Sequence, residues 1–351
     1  MAIRERLSRL APWSWIPALF FWAAAVVVWV DRLLNQAFDP DRTWLYDWHV
    51  YAAGARDFLA GDLYRVPLQS PFPLPVNAFN MPPGSALVVV PFEILPPILG
   101  GPLWVILNLG AVAAAAVLTA RIVNLRPVWL WSGAAFLAYS VSEWALAALI
   151  GNNTPLLLLM VAGFVTAHLA SRSVLAGALL GLAIATKLWP AAYLVVLARE
   201  RSWKTFGWAA GIAITLLGGS LIWLGGLDVV GPMVAALSAD VEPGPNQLLL
   251  GISWLRFHTD WWPEWGGYAV AVLVLLIPAT GLTGYGLATL AGLSAIPNVW
   301  RHYLGTVVFG FALLVRGLYD RFGDRVPGPF RRSREATSPS GTFHREAADR
   351  L

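Results

Sequence analysis

The sequence predicts an all-α polytopic membrane protein, a bundle of about ten transmembrane helices with a large first extracytoplasmic loop. Three observations carry that prediction. Of the 351 residues, 58% are hydrophobic and only 13% are charged, against about 25% charged in a soluble domain. The mean hydropathy is +0.62, and long apolar runs recur over most of the length. When those runs are threaded alternately, 17 of the 24 Lys and Arg fall on one side, which the positive-inside rule makes the cytoplasm. There is no cysteine, so disulfides, thiol catalysis and thiolate metal sites are excluded. The 19 Trp suit interfacial belts and sugar-stacking surfaces equally.

In chain order, residues 1–12 form a basic cytoplasmic N-terminus with Arg4, Arg6 and Arg9. They precede an apolar core of about 18 residues, as in a signal peptide. No small-residue cleavage site follows, so 13–33 reads as an uncleaved first span. A polar segment comes next, and the first extracytoplasmic loop covers 35–100. Within it, 50–59 predicts a short helix lying along the membrane, ended by a turn at Gly61-Asp62-Leu63-Tyr64. The prolines between Val66 and Pro83 forbid regular structure there, and 85–99 reads as a re-entrant or interfacial helix. Counting 85–99 as a full span would invert every loop from Arg121 to Lys204, which favours the ten-span threading.

Residues 102–120 predict a full span, 128–150 its return, and 155–170 the next descent. The run 174–198 is bounded by Arg172 on one side and by Arg199, Arg201 and Lys204 on the other. As one helix it would be about 37 Å long, with basic clusters on both faces and Lys187 near mid-membrane, at a cost of about 2.5–3.5 kcal/mol. Pro190 would also interrupt it. Two short helices turning at Lys187 remove all three conflicts and set Lys187 on the floor of an outward-opening cavity. Further spans are expected at 206–224, 267–282, 285–297 and 304–319, with a second external segment at 228–266. The tail, 320–351, is rich in Arg, Pro, Gly and Ser and reads as disordered.

This threading gathers the unusual polar residues on one face: Asp47 and His49, Asn152 and Asn153, Lys187, Asn246 and Gln247, Arg301 and His302. Glu143 would sit about two turns below Asn152. Asp47 stands among rings, in Trp44-Leu45-Tyr46-Asp47-Trp48-His49-Val50-Tyr51. It reads either as a base or as the cap of the following helix. Lys187 is either a ligand or a snorkelling cation. Asn152-Asn153 reads as a site or a turn, Asn246-Gln247 as a site or a loop, and Arg301-His302 as a site or an interfacial anchor. A carboxylate base beside cations able to hold a phosphate suits transfer from a phosphate leaving group. No Gly-rich phosphate loop or Rossmann pattern is present. Asp39-Pro40-Asp41 is the one DxD, in a proline context that argues only weakly for metal. No metal, cofactor or nucleic-acid partner is expected.

Several stretches carry a resemblance. Asp47, Tyr51 and Ala53, then Gly61-Asp62-x-Tyr64 and Asn80-Met81-Pro82-Pro83, resemble the start of glycosyltransferase family 87. So do Pro91-x-x-x-Leu95-Pro96 and Leu103-Trp104-x-x-Leu107-Asn108. Gly151-Asn152-Asn153 is similar to that family's Gly-Gln-x-Asn turn. Ala176-Gly177 through Gly181-Leu182-Ala183-x-x-x-Lys187-x-x-Pro190 is similar to its Gly/Lys/Pro signature, and Asn246-Gln247 and Trp300-x-His302-Tyr303 fall at further family positions. The resemblance spans about residues 15–320, by order and spacing rather than by any single motif. It implies a GT-C-like bundle over 13–319. It also implies an enzyme moving a sugar, typically mannose, from a polyprenyl-phosphate donor and forming an α linkage outside the cytoplasm. By position, Asp47 would be the base, His302 would lie near the donor phosphate, and Lys187 would be the Lys of the Lys-x-x-Pro pattern. Lys187 and His302, with the adjacent Arg301, would then stabilise the leaving phosphate. Trp48, His49, Tyr51, Asn153, Asn246 and Gln247 would line the substrates. The acceptor would be an envelope glycolipid or polysaccharide in the lipid bilayer. Met81 replaces a usual Tyr, Asn152 a usual Gln, and Ala295-Ile296-Pro297-Asn298 a Ser-Pro-x-Ser run; these departures bear on acceptor and sugar, not on fold. Two other functions compete. A lipid-linked sugar transporter or flippase would show internal repeats and midplane polar groups, and an inactive assembly subunit would not need the Asp47 position filled.

Overall fold

The structure is a computed structural model. It describes residues 15–37, 45–65, 79–125, 133–134, 147–238, 263, 265–296 and 303–322. The described residues are helical, with no strand among them. Among the described residues run twelve α-helices, numbered in chain order. The first four are α1 Trp15–Ala37, α2 Tyr46–Ala60, α3 Pro83–Glu93 and α4 Pro97–Ile122. Next come α5 Thr154–Leu169, α6 Ser173–Thr186, α7 Ala192–Arg199 and α8 Trp203–Trp223. The last four are α9 Val230–Ser238, α10 Gly266–Leu276, α11 Gly281–Ser294 and α12 Leu304–Phe322.

Among the described residues, Ile98–Ile122 and Trp203–Trp223 are long and apolar enough to cross a membrane. Two such helices do not establish the expected count of ten. The apolar runs are there, but several form short helices, as expected for 155–170 and for the halves of 174–198. A straight crossing needs about 20 residues, whereas α5 has 16, α6 14 and α10 11. Pro278 is one cause: the run expected to span 267–282 stops at Leu276, Ile277 turns extended, and a new helix opens at Gly281. The interfacial piece and the next span also divide differently from expectation. α3 keeps Pro91 inside it and ends at Glu93, and Pro97 starts α4 at its first position, where a missing N–H costs nothing. The last helix runs past the expected boundary to Phe322, with Arg316 paired to Asp320 one turn on at 2.8 Å. The basic N-terminus, the remainder of the tail, the prolines at 71–75 and most of the expected span 128–150 lie outside the described residues.

The run 174–198 breaks where predicted. α6 ends at Thr186, Lys187 is extended (φ −144°, ψ 136°), and a 3₁₀ turn, Trp189–Ala191, leads into α7. Two apolar clusters hold the bundle. One centres on Phe164, Leu180, Tyr193, Tyr285 and Phe309; the other, on Trp48, Tyr51, Phe79 and Trp104, packs under α2. α11 and α12 lie close because both are small at the crossing. A Cβ on Gly286 would stand 2.7 Å from the Gly310 carbonyl oxygen, the small-residue approach that packs helices in lipid.

A polar knot ties three elements at the C-terminal end of α5. Glu200 accepts from Tyr285 Oη at 2.5 Å and from the Gly281 N–H at 2.6 Å, and pairs with His168 Nε2 at 3.1 Å. Burial alone would raise the Glu200 pKa, but these bonds outweigh it and hold it below the usual carboxylate value. A carboxylate with a depressed folded-state pKa adds stability above its unfolded pKa and loses it as pH falls through the folded one. Glu200→Ala is therefore expected to lower stability by about 2 kcal/mol at neutral pH. That deficit should shrink on acidification, which thermal unfolding in detergent at several pH values reads directly.

Candidate active site

The site is assembled where α2 meets the turn before α5. Leu45 caps α2 in a left-handed conformation (φ 58°). The N–H groups of Asp47 and Trp48, which an α-helix leaves unpaired at its start, both donate to the Ile150 carbonyl, at 2.9 and 3.2 Å. Gly151 permits this docking: its φ is +82°, and a Cβ there would stand 2.8 Å from the Trp48 backbone nitrogen. The capping alternative for Asp47 is not what the structure places. Asp47 sits inside the first turn, where the helix dipole favours a carboxylate, and Asn152 Nδ2 donates to its Oδ2 at 2.7 Å.

From Asn152 a chain of hydrogen bonds leads to Lys187. The Asn152 Oδ1 accepts from the Thr154 N–H at 2.8 Å and from Thr154 Oγ1 at 2.6 Å. Lys187 Nζ donates to Thr154 Oγ1 at 3.2 Å and to Tyr303 Oη at 2.8 Å, and lies 4.7 Å from the centre of the Tyr303 ring. Lys187 is 8% exposed, whereas Asp47 is half-buried. Burial pushes the Asp47 pKa above the usual carboxylate value, while the Asn152 hydrogen bond and the Lys187 charge pull it partly back. Carboxylate and ammonium thus share one network, joined through two uncharged side chains.

The neighbouring asparagine serves the frame. Asn153 is fully buried; its Oδ1 accepts from Tyr51 Oη at 2.9 Å and its Nδ2 donates to Ser85 Oγ at 3.3 Å. Ser85 Oγ in turn donates to the Thr186 carbonyl, one residue before Lys187. Tyr51 and Asn153, expected to line substrate, therefore spend these groups on protein partners. Trp48, also expected to face substrate, is 6% exposed and packed against Trp104, ring centres 6.1 Å apart. Trp104 Nε1 donates to the Gly151 carbonyl at 2.7 Å and fixes the same turn from beneath. The physical reason is apolar demand: an amphipathic α2 buries its rings to stay on the bundle. His49 is half-buried, and burial and then the Arg56 charge lower its pKa.

Glu143, Asn246, Gln247, Arg301 and His302 lie outside the described residues. Thr154 and Ser85 were not singled out from sequence, and Tyr303 entered only through the Trp300-x-His302-Tyr303 resemblance, with no role of its own. Thr154 stands at a helix start, where a threonine reads as a cap, and Tyr303 follows an Arg-His pair in an apolar context where an aromatic reads as an anchor. Among the described residues no group of three His, Asp or Glu is placed to hold a metal. A groove of about 730 Å³ lined by Trp203, Lys204, Gly207 and Gly211 runs along α8 and shares no residue with this network.

Residues 79–317 match the family model described as Glycosyltransferase family 87. The match covers the turn at Asn152, Lys187 and Tyr303 but begins after α2, so Asp47 joins the matched region through contact and not through the match. No curated protein sequence matches the chain.

Proposed function

The chain belongs to glycosyltransferase family 87, and we propose that it is an inverting transferase that moves mannose from a polyprenyl-phosphate donor to an envelope glycolipid or polysaccharide. The observation that carries this reading is the half-buried Asp47 carboxylate linked through Asn152 and Thr154 to the buried Lys187 ammonium. Asp47 takes the proton of an acceptor hydroxyl. The acceptor oxygen bonds to the anomeric carbon as the bond from that carbon to the phosphate oxygen breaks. The electron pair leaves with the polyprenyl phosphate, whose charge Lys187 meets, with Arg301 and His302, which precede Tyr303 in sequence, as further candidates. Inversion of a β-linked donor gives an α product.

Purified protein in lipid, given radiolabelled polyprenyl-phosphate mannose and an envelope lipid extract, is expected to pass label to a chloroform-soluble or polymeric product. Movement of the intact donor across the bilayer without transfer would replace the enzyme with a transporter.

In this reading the protein crosses the membrane several times with Asp47 on the extracytoplasmic side and Arg121 in the cytoplasm, as the basic loops favour. The chain has no cysteine, so Asn124→Cys provides a single label at the end of α4. It should resist an impermeant thiol reagent in intact cells and react after permeabilisation; labelling in intact cells would invert the topology.

A further inference from the structure

With Asp47 as base and Lys187 as phosphate ligand, a reading this inference rests on, the two side chains between them acquire a task of their own. An amide oxygen has two lone pairs, and both on Asn152 are met by Thr154, through its N–H and its hydroxyl. Turning the amide over would set its NH₂ against the Thr154 N–H and its oxygen against the Asp47 carboxylate. Asn152 and Thr154 are 5% and 3% exposed, so water cannot repair those contacts. The amide therefore has one orientation, with Nδ2 toward Asp47.

That orientation determines what each neighbour can do. Asp47 is held at Oδ2, and no hydrogen bond engages its Oδ1 among the described residues. The Thr154 hydroxyl has one proton, committed to Asn152, so it meets Lys187 as an acceptor. The backbone repeats the constraint, because the Asp47 and Trp48 N–H groups rest on the Ile150 carbonyl, two residues before Asn152. The carboxylate can neither rotate freely nor slide relative to the ammonium.

We propose that Asn152 and Thr154 are positioning residues that hold Asp47 by Oδ2, leave Oδ1 as the oxygen that takes the acceptor proton, and fix its spacing from Lys187. A displacement of about 1 Å at a reacting group can cost about 10²-fold in rate, and a carboxylate anchored at one oxygen on a rigid turn avoids it.

The test uses the full-length protein in nanodiscs and two readouts. The first is transfer from polyprenyl-phosphate mannose to an envelope lipid extract. The second needs no substrate: modification of Asp47 by dicyclohexylcarbodiimide, which requires the protonated carboxyl, followed across pH by peptide mass spectrometry. Lys187 and Tyr51 are the ionisable groups coupled to Asp47 here, and both stay unchanged in the variants. Asn152→Ala should lower kcat by about 10²-fold and leave the donor KM within about twofold. It should also move the modification midpoint to higher pH, because a hydrogen bond to the ionised form is lost. Thr154→Val should lower kcat and raise the donor KM together, since Lys187 also loses a partner, and Thr154→Ser should restore both. Wild-type kcat or an unmoved midpoint in Asn152→Ala overturns the proposal. So does a loss in Thr154→Val that Thr154→Ser does not restore. Asp47→Asn, assayed beside them, separates the two readings. If it keeps turnover, the base assignment fails; if it is inactive while Asn152→Ala behaves as wild type, only the positioning role fails.

Discussion

Asp47→Asn is expected to fold, to bind donor, and to lose turnover by at least about 10²-fold, the lower end of what a general base contributes. The substitution keeps the size of the side chain and one oxygen able to accept from Asn152 Nδ2, so the α2 docking through the Ile150 carbonyl is untouched. What it removes is the basicity that the proposed reaction requires of this residue. Burial raises the Asp47 pKa above the usual carboxylate range, with the Asn152 hydrogen bond and the Lys187 charge limiting the rise. A stronger base results, ionised only above the raised pKa, so the acid limb of kcat/KM should lie higher in pH than for a solvent-exposed carboxylate. Asp47→Glu should also be poor. The extra methylene shifts the oxygens by about 1 Å, which can cost about 10²-fold, and the Asn152 amide is pinned by Thr154 and cannot follow. Retention of more than about a tenth of wild-type transfer in Asp47→Asn would move the base elsewhere, with Glu143 and His49 the next candidates. A variant that failed to fold would instead make the carboxylate a structural part of the α2 terminus.

The sequence made some of this legible for identifiable reasons. The break at Lys187 followed from three conflicts in one run, its length, its two basic ends and Pro190, and only a turn resolved all of them. The helix carrying Asp47 was visible through its terminating Gly61, though it starts four residues earlier than apolar patterning suggested, because the N–H groups of Asp47 and Trp48 are paired by Ile150, 103 and 102 residues away in sequence. The Thr154 and Tyr303 contacts to Lys187 join positions 33 and 116 residues apart. Periodicity reports which face of a helix is apolar, and it carries no information about such pairings. Composition leaves the rings around Asp47 open in the same way. Trp48 could stack on a sugar or on Trp104 with identical composition, and only the packing decides. The ten-span threading rested on charge bias, which orders loops by side but does not measure helix length, and the expected span 267–282 is divided at Pro278.

Lys187→Met should weaken donor binding and reduce turnover by about 10²–10³-fold, the loss seen when one preorganised donor to developing negative charge is removed. The ammonium has three N–H groups; Thr154 and Tyr303 take two, both through neutral oxygens. No carboxylate touches it among the described residues, and Asp47 reaches it only through space and the Asn152–Thr154 link. A cation meant only to brace the turn would be cheaper with a direct carboxylate partner, because a buried charge without one is costly. In the proposed reaction an incoming phosphate would supply that partner. Methionine keeps an unbranched apolar stem one atom shorter than lysine's, so most of the packing is preserved while the charge is lost. Donor binding to nanodisc-embedded protein, followed with labelled polyprenyl phosphate, should fall, and the thermal midpoint should stay near wild type. Unchanged phosphate binding would return Lys187 to a structural role at the α6–α7 turn. Lys187→Arg should not rescue, because the planar guanidinium cannot reproduce donors aimed at Thr154, Tyr303 and a third acceptor from one tetrahedral nitrogen.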